Sequence, residues 1–420
     1  MRRFAGLDIG TSGVRVSVID EAGVLVDEAR TPLPHVERDG GVDAETWWDA
    51  AVAALEVAAS TRVEAIAIDG TSGSMVMVDG ASRPVTPGLL YNSADFDREA
   101  AAIEPHAPKD AIARGPGSAL ARALRLQALA GGRAEHLCHQ ADFLAARLAG
   151  RAGVSDASNA LKTGYDAAAG EWPAWIGRTG LDTRLLPEVH PVGALMGNVS
   201  DEMVRRFDFS RGCRLVAGAT DSTAAFLGAG AREVGTAVTS LGTTLALKIL
   251  ADRPVSDVAA GVYSHRVGDV WLPGGASNTG GGALLRHFTP DELQRVSRRI
   301  DPSWEPEHPD TYPLAKPGER FPVADPGKAA VLPPREDDAR FLFELLHAIA
   351  RIERDGYRAL ETLDAPYPSR VLTAGGGAAN KAWTAIRARV LGVPVEAAKH
   401  AEASLGMALL ARRASMPEAV

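Results

Sequence analysis

Phe4-Ala5-Gly6-Leu7-Asp8-Ile9-Gly10-Thr11-Ser12-Gly13-Val14-Arg15-Val16-Ser17-Val18-Ile19-Asp20 is the stretch that decides how this chain folds. It reads as strand, Gly-Thr-Ser turn, strand. A second stretch of the same kind, Ala237-Val238-Thr239-Ser240-Leu241-Gly242-Thr243-Thr244-Leu245-Ala246-Leu247-Lys248, comes well over halfway along, and Ala217-Gly218-Ala219-Thr220-Asp221-Ser222-Thr223 stands just ahead of it. A turn of glycine and small hydroxyl residues lets backbone N–H groups and side-chain hydroxyls come close to phosphate oxygens. Two such turns facing each other could grip a nucleoside triphosphate from both sides of a cleft, leaving Asp221 to act as a base.

Working outward from the first hairpin, a strand over Val24–Glu28 follows the turn at Glu21-Ala22-Gly23, and a helix starts at Asp43-Ala44-Glu45-Thr46-Trp47-Trp48 and runs to about Ala59. Its early acidic residues suit the positive end of the helix dipole. Val63–Ile68 is a strand leading into Asp69-Gly70-Thr71-Ser72-Gly73, and the order strand, hairpin, helix, strand predicts a mixed α/β layer. Around the second hairpin, strands are expected at Thr236–Ser240, Leu245–Leu250, Gly261–His265 and Val270–Leu272. Phe341, Leu345, Ile349 and Ile352 mark a long helix from Asp337 to about Leu363. Strand Val371–Ala374 ends at Gly375-Gly376-Gly377, and Asn380 begins another helix. The proline-rich stretch from Asp301 to Pro334 reads as a long ordered surface loop. The similar openings of the two halves suggest duplication.

The bulk numbers bound the function. A chain of 420 residues, 46% hydrophobic and 23% charged, is long enough for two globular domains. Its net charge of -8 argues against nucleic acid or an anionic membrane as main partner. Cys138 and Cys213 are the only cysteines, read as buried thiols, with neither a disulfide framework nor a zinc-ligand cluster. Met1-Arg2-Arg3 could open a signal peptide, but Asp8 interrupts the apolar run and no small-residue cleavage site follows. No stretch is long enough to span a bilayer, so a cytoplasmic protein is expected.

These residues together resemble the FGGY carbohydrate kinases. Asp8-Ile9-Gly10-Thr11-Ser12 is similar to that family's first phosphate motif, Ser240-Leu241-Gly242-Thr243-Thr244 to its second, and Ala374-Gly375-Gly376-Gly377-Ala378-Ala379-Asn380 to its adenosine motif. Trp47-Trp48 and Gly318-Glu319-Arg320-Phe321-Pro322 are further landmarks, and the resemblance runs from Phe4 to about Leu410. Within the family the chain looks most like compact D-ribulose kinases of cyanobacteria and plants, formerly labelled xylulose-kinase-like. That likeness rests on Ala67–Gly73, Leu89–Asn92, Asn159–Tyr165 and Gly261–His265. It departs from xylulose kinases, which usually carry a Ser-Gly-Gln-Met-His-like stretch where this chain has Thr71-Ser72-Gly73-Ser74-Met75. The family's mid-domain Lys-x-x-Trp signature is eroded at Ser118-Ala119-Leu120-Ala121-Arg122.

The resemblance implies two actin-like ATPase (ribonuclease H-like) domains flanking a nucleotide and sugar cleft. Residues 1–227 would form the sugar- and phosphate-binding domain and 228–400 the nucleotide-binding one, with a helix in 401–420 packing back on the first. It implies ATP and Mg2+, a ketose acceptor, most of all D-ribulose, with xylulose, sedoheptulose or another ketose or polyol as the alternative, and a monomer or homodimer. Asp8 would hold Mg2+, directly or through water, though alone it reads equally as a strand-end aspartate satisfied by the next turn. Thr11 and Ser12 would meet the transferring phosphoryl group, with Gly10 and Gly13 shaping the hairpin. Asp221, otherwise a plain helix N-cap, would take the proton of the attacking sugar hydroxyl.

Ser72 would contact the sugar, as would Asp8, Ser12, Gly13 and Asp221. Gly242 and Thr243 form the second phosphate turn, with Gly281 and Gly282 another wall of the nucleotide pocket or simply close helix packing. Gly376 and Gly377 would lie flat beside adenosine, and Asn380 would bond the base or cap its helix. No Gly-x-x-x-x-Gly-Lys-Ser/Thr motif is present, which excludes a Walker-type site. Lys162 and Tyr165 could line the sugar cleft or be a solvated lysine and a packing tyrosine, while His265 and His287 read as structural. From a different class, a non-phosphorylating actin-like ATPase would share both hairpins and the adenosine glycines.

Overall fold

The computed structural model describes residues 2–58, 62–400 and 402–416. Its contacts divide the chain into two compact units, one of Met1–Gly228, His265–Gly268 and Glu402–Val420, the other of Ala229–Ser264 and Asp269–Ala401.

The first unit is built on a six-stranded sheet in the order Leu195–Asn198, Arg214–Thr220, Val63–Gly70, Arg3–Ile9, Gly13–Asp20, Leu25–Pro32. Arg214–Thr220, Val63–Gly70 and Arg3–Ile9 run parallel, and the hairpin strands continue the sheet antiparallel. Parallel strands covered on both faces need near-continuous apolar runs, and Phe4, Ala5, Leu7, Ile9, Ile66, Ala67 and Ile68 are all buried. Helix Glu45–Ala58 seats Trp47 and Trp48 in the core; its expected end at Ala59 lies outside the described residues. Helix Ala403–Ser415 lies against strand Arg3–Ile9 and helix Asp221–Gly228. Two glycines permit that approach: a Cβ on Gly6 would come within 1.9 Å of the Ser404 carbonyl oxygen, and one on Gly406 within 2.0 Å of that of Ala224. Ser17 Oγ and Ser404 Oγ share a hydrogen bond of 2.8 Å across this packing.

The second unit repeats the plan with strands in the order Val270–Ser277, Leu245–Ile249, Thr236–Leu241, Arg370–Ala374, Val395–Ala397. Here too an antiparallel hairpin meets parallel strands at its first member. Helix Asp338–Thr362 is capped by Asp337, whose carboxylate accepts from Ala339 N and Arg340 N, and buries Phe341, Leu345, Ile349, Ile352 and Tyr357. The 301–334 stretch is a long loop, as expected, and Glu319 anchors it. Its buried carboxylate accepts from Ser277 Oγ at 2.6 Å, Asn278 N at 2.7 Å and Tyr312 Oη at 2.9 Å. Phe321 packs where Gly275 and Gly356 leave room. The landmark Gly318–Pro322 is thus a loop clamp.

Several element boundaries differ from the sequence reading. The third strand is Leu25–Pro32, because the hairpin partner Gly13–Asp20 goes on offering backbone groups past Glu28. Val63–Gly70 extends two residues past Ile68, bringing Asp69 into the sheet. Val270–Ser277 runs well past Leu272, paired with Leu245–Ile249.

Candidate active site

Strand register places the acidic groups of the first unit. Asp8 pairs with Asp69 across the parallel ladder, Thr220 pairs with Gly70, and Asp221 follows at once. Three carboxylates therefore sit near the carboxyl ends of three adjacent strands, where open α/β sheets bind ligands. Asp8 is buried, and burial is the main reason its carboxyl is held above the usual range. Contact with Asp69 and the charge of Arg15 pull it back, while Asp221 and Glu402 push it up. Arg15 Nη1 stands 4.0 Å from Asp8 Oδ2 and also pairs with Glu402.

Asp69 is wholly buried, and neither of its oxygens has a hydrogen-bond donor at normal distance among the described residues. Burial first, then the charges of Asp8 and Asp221, raise its carboxyl well above the usual range. The sequence reading passes over Asp69 because it ends the strand at Ile68.

Asp221 opens helix Asp221–Gly228 from within its first turn, not from the N-cap position ahead of Ser222, and its Oδ1 accepts from Ser222 N at 2.7 Å. Thr11 and Ser12 stand exposed at the hairpin tip, which Gly10 closes by donating its N–H to the Gly13 carbonyl at 3.0 Å. Gly13 is buried, and a Cβ there would meet the Thr31 carbonyl oxygen at 2.8 Å. Ser72 lies in the turn after Val63–Gly70, its hydroxyl shielded from solvent and without a partner among the described residues. A depression is lined by Gly10, Thr11, Thr71, Trp47, Tyr91 and Gln140. Gln140 Oε1 holds that wall, accepting from Thr71 N at 3.1 Å and Thr71 Oγ1 at 2.7 Å. Tyr165 is buried edge-on to Trp172, the packing role read for it as the default.

Carboxylate oxygens are the donors Mg2+ takes, usually one or two with phosphate and water completing the shell. Asp8, with the orphaned oxygens of Asp69 beside it, fits that requirement. No set of three or more Asp, Glu, His or Cys among the described residues is arranged to hold a cation by itself, so the fit is to a carboxylate that shares its ion with a ligand.

In the second unit Gly242 and Thr243 are exposed at the second hairpin tip. Gly281 N donates to Gly242 O at 2.8 Å and Gly282 N to Thr243 O at 3.0 Å, so these two amides brace the turn. Gly376 is open, with nothing within 4 Å of a Cβ built on it, while Gly377 packs against Leu241 and Trp383. Asn380 caps helix Lys381–Leu391 through Trp383 N at 3.1 Å, and its amide donates to Ser297 Oγ at 2.8 Å. Beneath the hairpin and the glycine loop lies a buried network that the sequence reading does not include. Arg387 Nε and Nη2 meet both oxygens of Glu353 at 2.6 and 2.7 Å, and Arg387 Nη1 donates to Thr373 Oγ1 at 2.6 Å. Thr239 Oγ1 donates to Glu353 at 2.6 Å. Thr239 and Thr373 are register partners one residue before Ser240 and Ala374. A signal for it is present in the sequence: Glu353 stands four residues from both Ile349 and Tyr357, on the apolar face of its helix.

Two actin-like, ribonuclease H-like domains of the kind found in FGGY sugar kinases are the fold this geometry defines. A xyloylose kinase from Brucella ovis superposes with a TM-score of 0.89 at 24% identity, over 100% of this chain and 91% of that one. Residues 237–415 match the FGGY family of carbohydrate kinases, C-terminal domain. A xylulose kinase of Streptomyces rubiginosus is 32% identical over 290 aligned residues, 64% of this chain. The chain covers 58% of that relative's length. The xylulose kinase of Escherichia coli strain K12 is 25% identical over 454 aligned positions, 99% of this chain and 90% of that protein. The C-terminal part of the chain is thus similar to the FGGY carbohydrate kinases, and the relatives it matches are named xylulose kinases.

Proposed function

We propose that this protein transfers the γ-phosphoryl group of ATP to a hydroxyl of a small ketose. The observation that carries the reading is the meeting of Asp8, Asp69 and Asp221 at the ends of three adjacent strands, beside an exposed Gly-Thr-Ser hairpin and the unpartnered Ser72 hydroxyl. Asp221, in the first helical turn, orients the attacking hydroxyl and accepts its proton. Thr11 and Ser12 offer hydroxyls and amides to the transferring group, for which positioning and charge neutralisation do most of the catalysis. Asp8 would hold Mg2+, which when bound would supply positive charge against the phosphoryl oxygens. Ser72, Ser12 and Gly13 contact the sugar. Gly242 and Thr243 contribute the second phosphate turn, Gly376 and Gly377 the adenosine surface, with Gly281, Gly282 and Asn380 bracing these loops.

The relatives' names favour D-xylulose as acceptor, which moves it ahead of the D-ribulose of the sequence reading. The Thr71–Met75 turn, which departs from the xylulose-kinase pattern, keeps D-ribulose as the second reading. Purified protein assayed for ADP release with ATP, Mg2+ and D-xylulose, D-ribulose or sedoheptulose tests both, with product analysis. At least one ketose is expected to raise ADP release about tenfold or more above the sugar-free rate, and Asp221→Ala to lower that rate by about 10²–10⁴. ATP turnover indifferent to every ketose would contradict the proposal and support a non-phosphorylating ATPase.

A further inference from the structure

Arg122 is a buried cation in a helix that needs none. It lies 2% exposed in Ala119–Ala130, among the apolar side chains of Leu120, Ala121, Leu124 and Leu126. A leucine or methionine would fill such a position at no electrostatic cost, whereas a buried charge usually demands a partner of opposite sign. Among the described residues no carboxylate pairs with it. Its charge is met by backbone carbonyls instead: Nε donates to Gly73 O at 2.9 Å, and Nη1 to Ser93 O at 2.8 Å and Gly117 O at 3.0 Å. Burial alone draws the guanidinium pKa down to about 10, so it stays charged at neutral pH. Gly73 fits this contact, since it has φ +90° and a Cβ there would come within 2.9 Å of Arg122 Nη2.

Two of those carbonyls belong to loops that are themselves tied together. Tyr91 N donates to Ser74 Oγ at 2.9 Å, Thr71 Oγ1 and Ser74 Oγ share a 2.6 Å bond, and Leu90 N donates to Ser93 Oγ at 3.1 Å. Gln140 N donates to Ser74 O at 2.9 Å. The turn 71–74 and the loop 90–93 thus form one clasp. Ser72 lies inside its first half, Thr71 and Tyr91 line the depression beside Gly10 and Thr11, and Arg122 fastens the clasp from beneath.

We propose that Arg122 is the positioning residue that fixes the Ser72 turn against the Tyr91 loop and thereby sets sugar affinity and sugar preference. This rests on the reading that the Ser72 turn meets the acceptor sugar. A planar fork reaching three carbonyls from one side chain is a task for arginine; lysine offers a single point of charge. Loosening the clasp displaces sugar contacts and leaves the nucleotide loops of the second unit untouched.

The test compares the parent, Arg122→Lys, Arg122→Met and Ser72→Ala in ketose-dependent ADP release. Arg122→Met is expected to raise the KM for the preferred ketose about tenfold or more and to narrow the preference between D-xylulose and D-ribulose. The KM for ATP and the sugar-free ATP hydrolysis should stay within about twofold. Arg122→Lys should recover part of the sugar KM. A lower melting temperature with unchanged sugar KM and preference in Arg122→Met would overturn the proposal, leaving Arg122 a packing residue. If Arg122→Met does not fold, Arg122→Lys decides alone, and a parental sugar KM and preference there would overturn it. A parent indifferent to ketoses would sink the functional reading and this proposal with it. A ketose-stimulated parent with an unaffected Ser72→Ala would remove only the sugar role of the turn, and with it this proposal. Ser72→Ala impaired with both Arg122 variants unaffected would overturn the role of Arg122 alone.

Discussion

Two buried pairs of ionisable side chains, one in each unit, are treated in opposite ways. In the second, Glu353 and Arg387 are almost wholly shielded, and each is met by the other in a two-bond fork, with Thr239 and Thr373 taking up remaining capacity. In the first, Asp8 and Asp69 lie side by side in neighbouring strands with their pKa values raised, and neither oxygen of Asp69 has a hydrogen-bond donor at normal distance among the described residues. A satisfied pair holds two strands and two helices in one arrangement. Two carboxyls buried side by side, one of them without a hydrogen-bond partner, have no such structural use. Folding tolerates them where the carboxylates are needed for something else.

The largest stability effect belongs to the satisfied pair. Arg387→Met should leave Glu353 buried and unpaired, at a cost of about 3–5 kcal/mol. The double variant Glu353→Met with Arg387→Met should recover much of that loss. Urea unfolding of the two variants against the parent measures it, and an Arg387→Met midpoint equal to the parent's would mean that the pair is not the clamp described.

Asp69 should behave in the opposite sense. Its folded pKa lies above its unfolded value, so between the two the native state binds more protons than the unfolded state, and stability falls as pH rises through that window. Asp69→Asn removes the penalty. Without added metal it should be more stable than the parent at pH 8, by on the order of 1 kcal/mol for each tenfold by which folding tightens proton binding. The advantage should shrink as pH falls towards the ordinary carboxylate range. Thermal unfolding from pH 4 to 8 checks the sign, and a variant less stable at pH 8 would show that Asp69 is paired after all.

How much of this can be read from sequence follows the same division. The hairpins are legible because glycine, small hydroxyls and alternating valines are local signals, and Asp8 and Asp221 stand next to them. Asp69 is not, since its importance comes from parallel register with a residue 61 positions away, and the Gly70-Thr71-Ser72-Gly73 turn signal draws the strand end back to Ile68. Arg122 shows only as a departure from Lys-x-x-Trp; nothing local says that its side chain crosses to Gly73 and Ser93. Asn380 is legible as a cap, and its Oδ1 accepts from Trp383 N as one.

The smallest change in stability, and the greatest loss of function, are expected at Asp8. Asparagine matches aspartate in shape, removes one of two facing carboxylates, and leaves Arg15 its partner Glu402. The most direct test of the claim that these paired buried carboxyls serve phosphoryl transfer is therefore to measure thermal unfolding and ketose-dependent ADP release on one preparation of Asp8→Asn. A melting temperature at or above the parent's, with turnover lowered about 100-fold or more, is the expected result. Turnover at the parental rate in a folded variant would contradict the account.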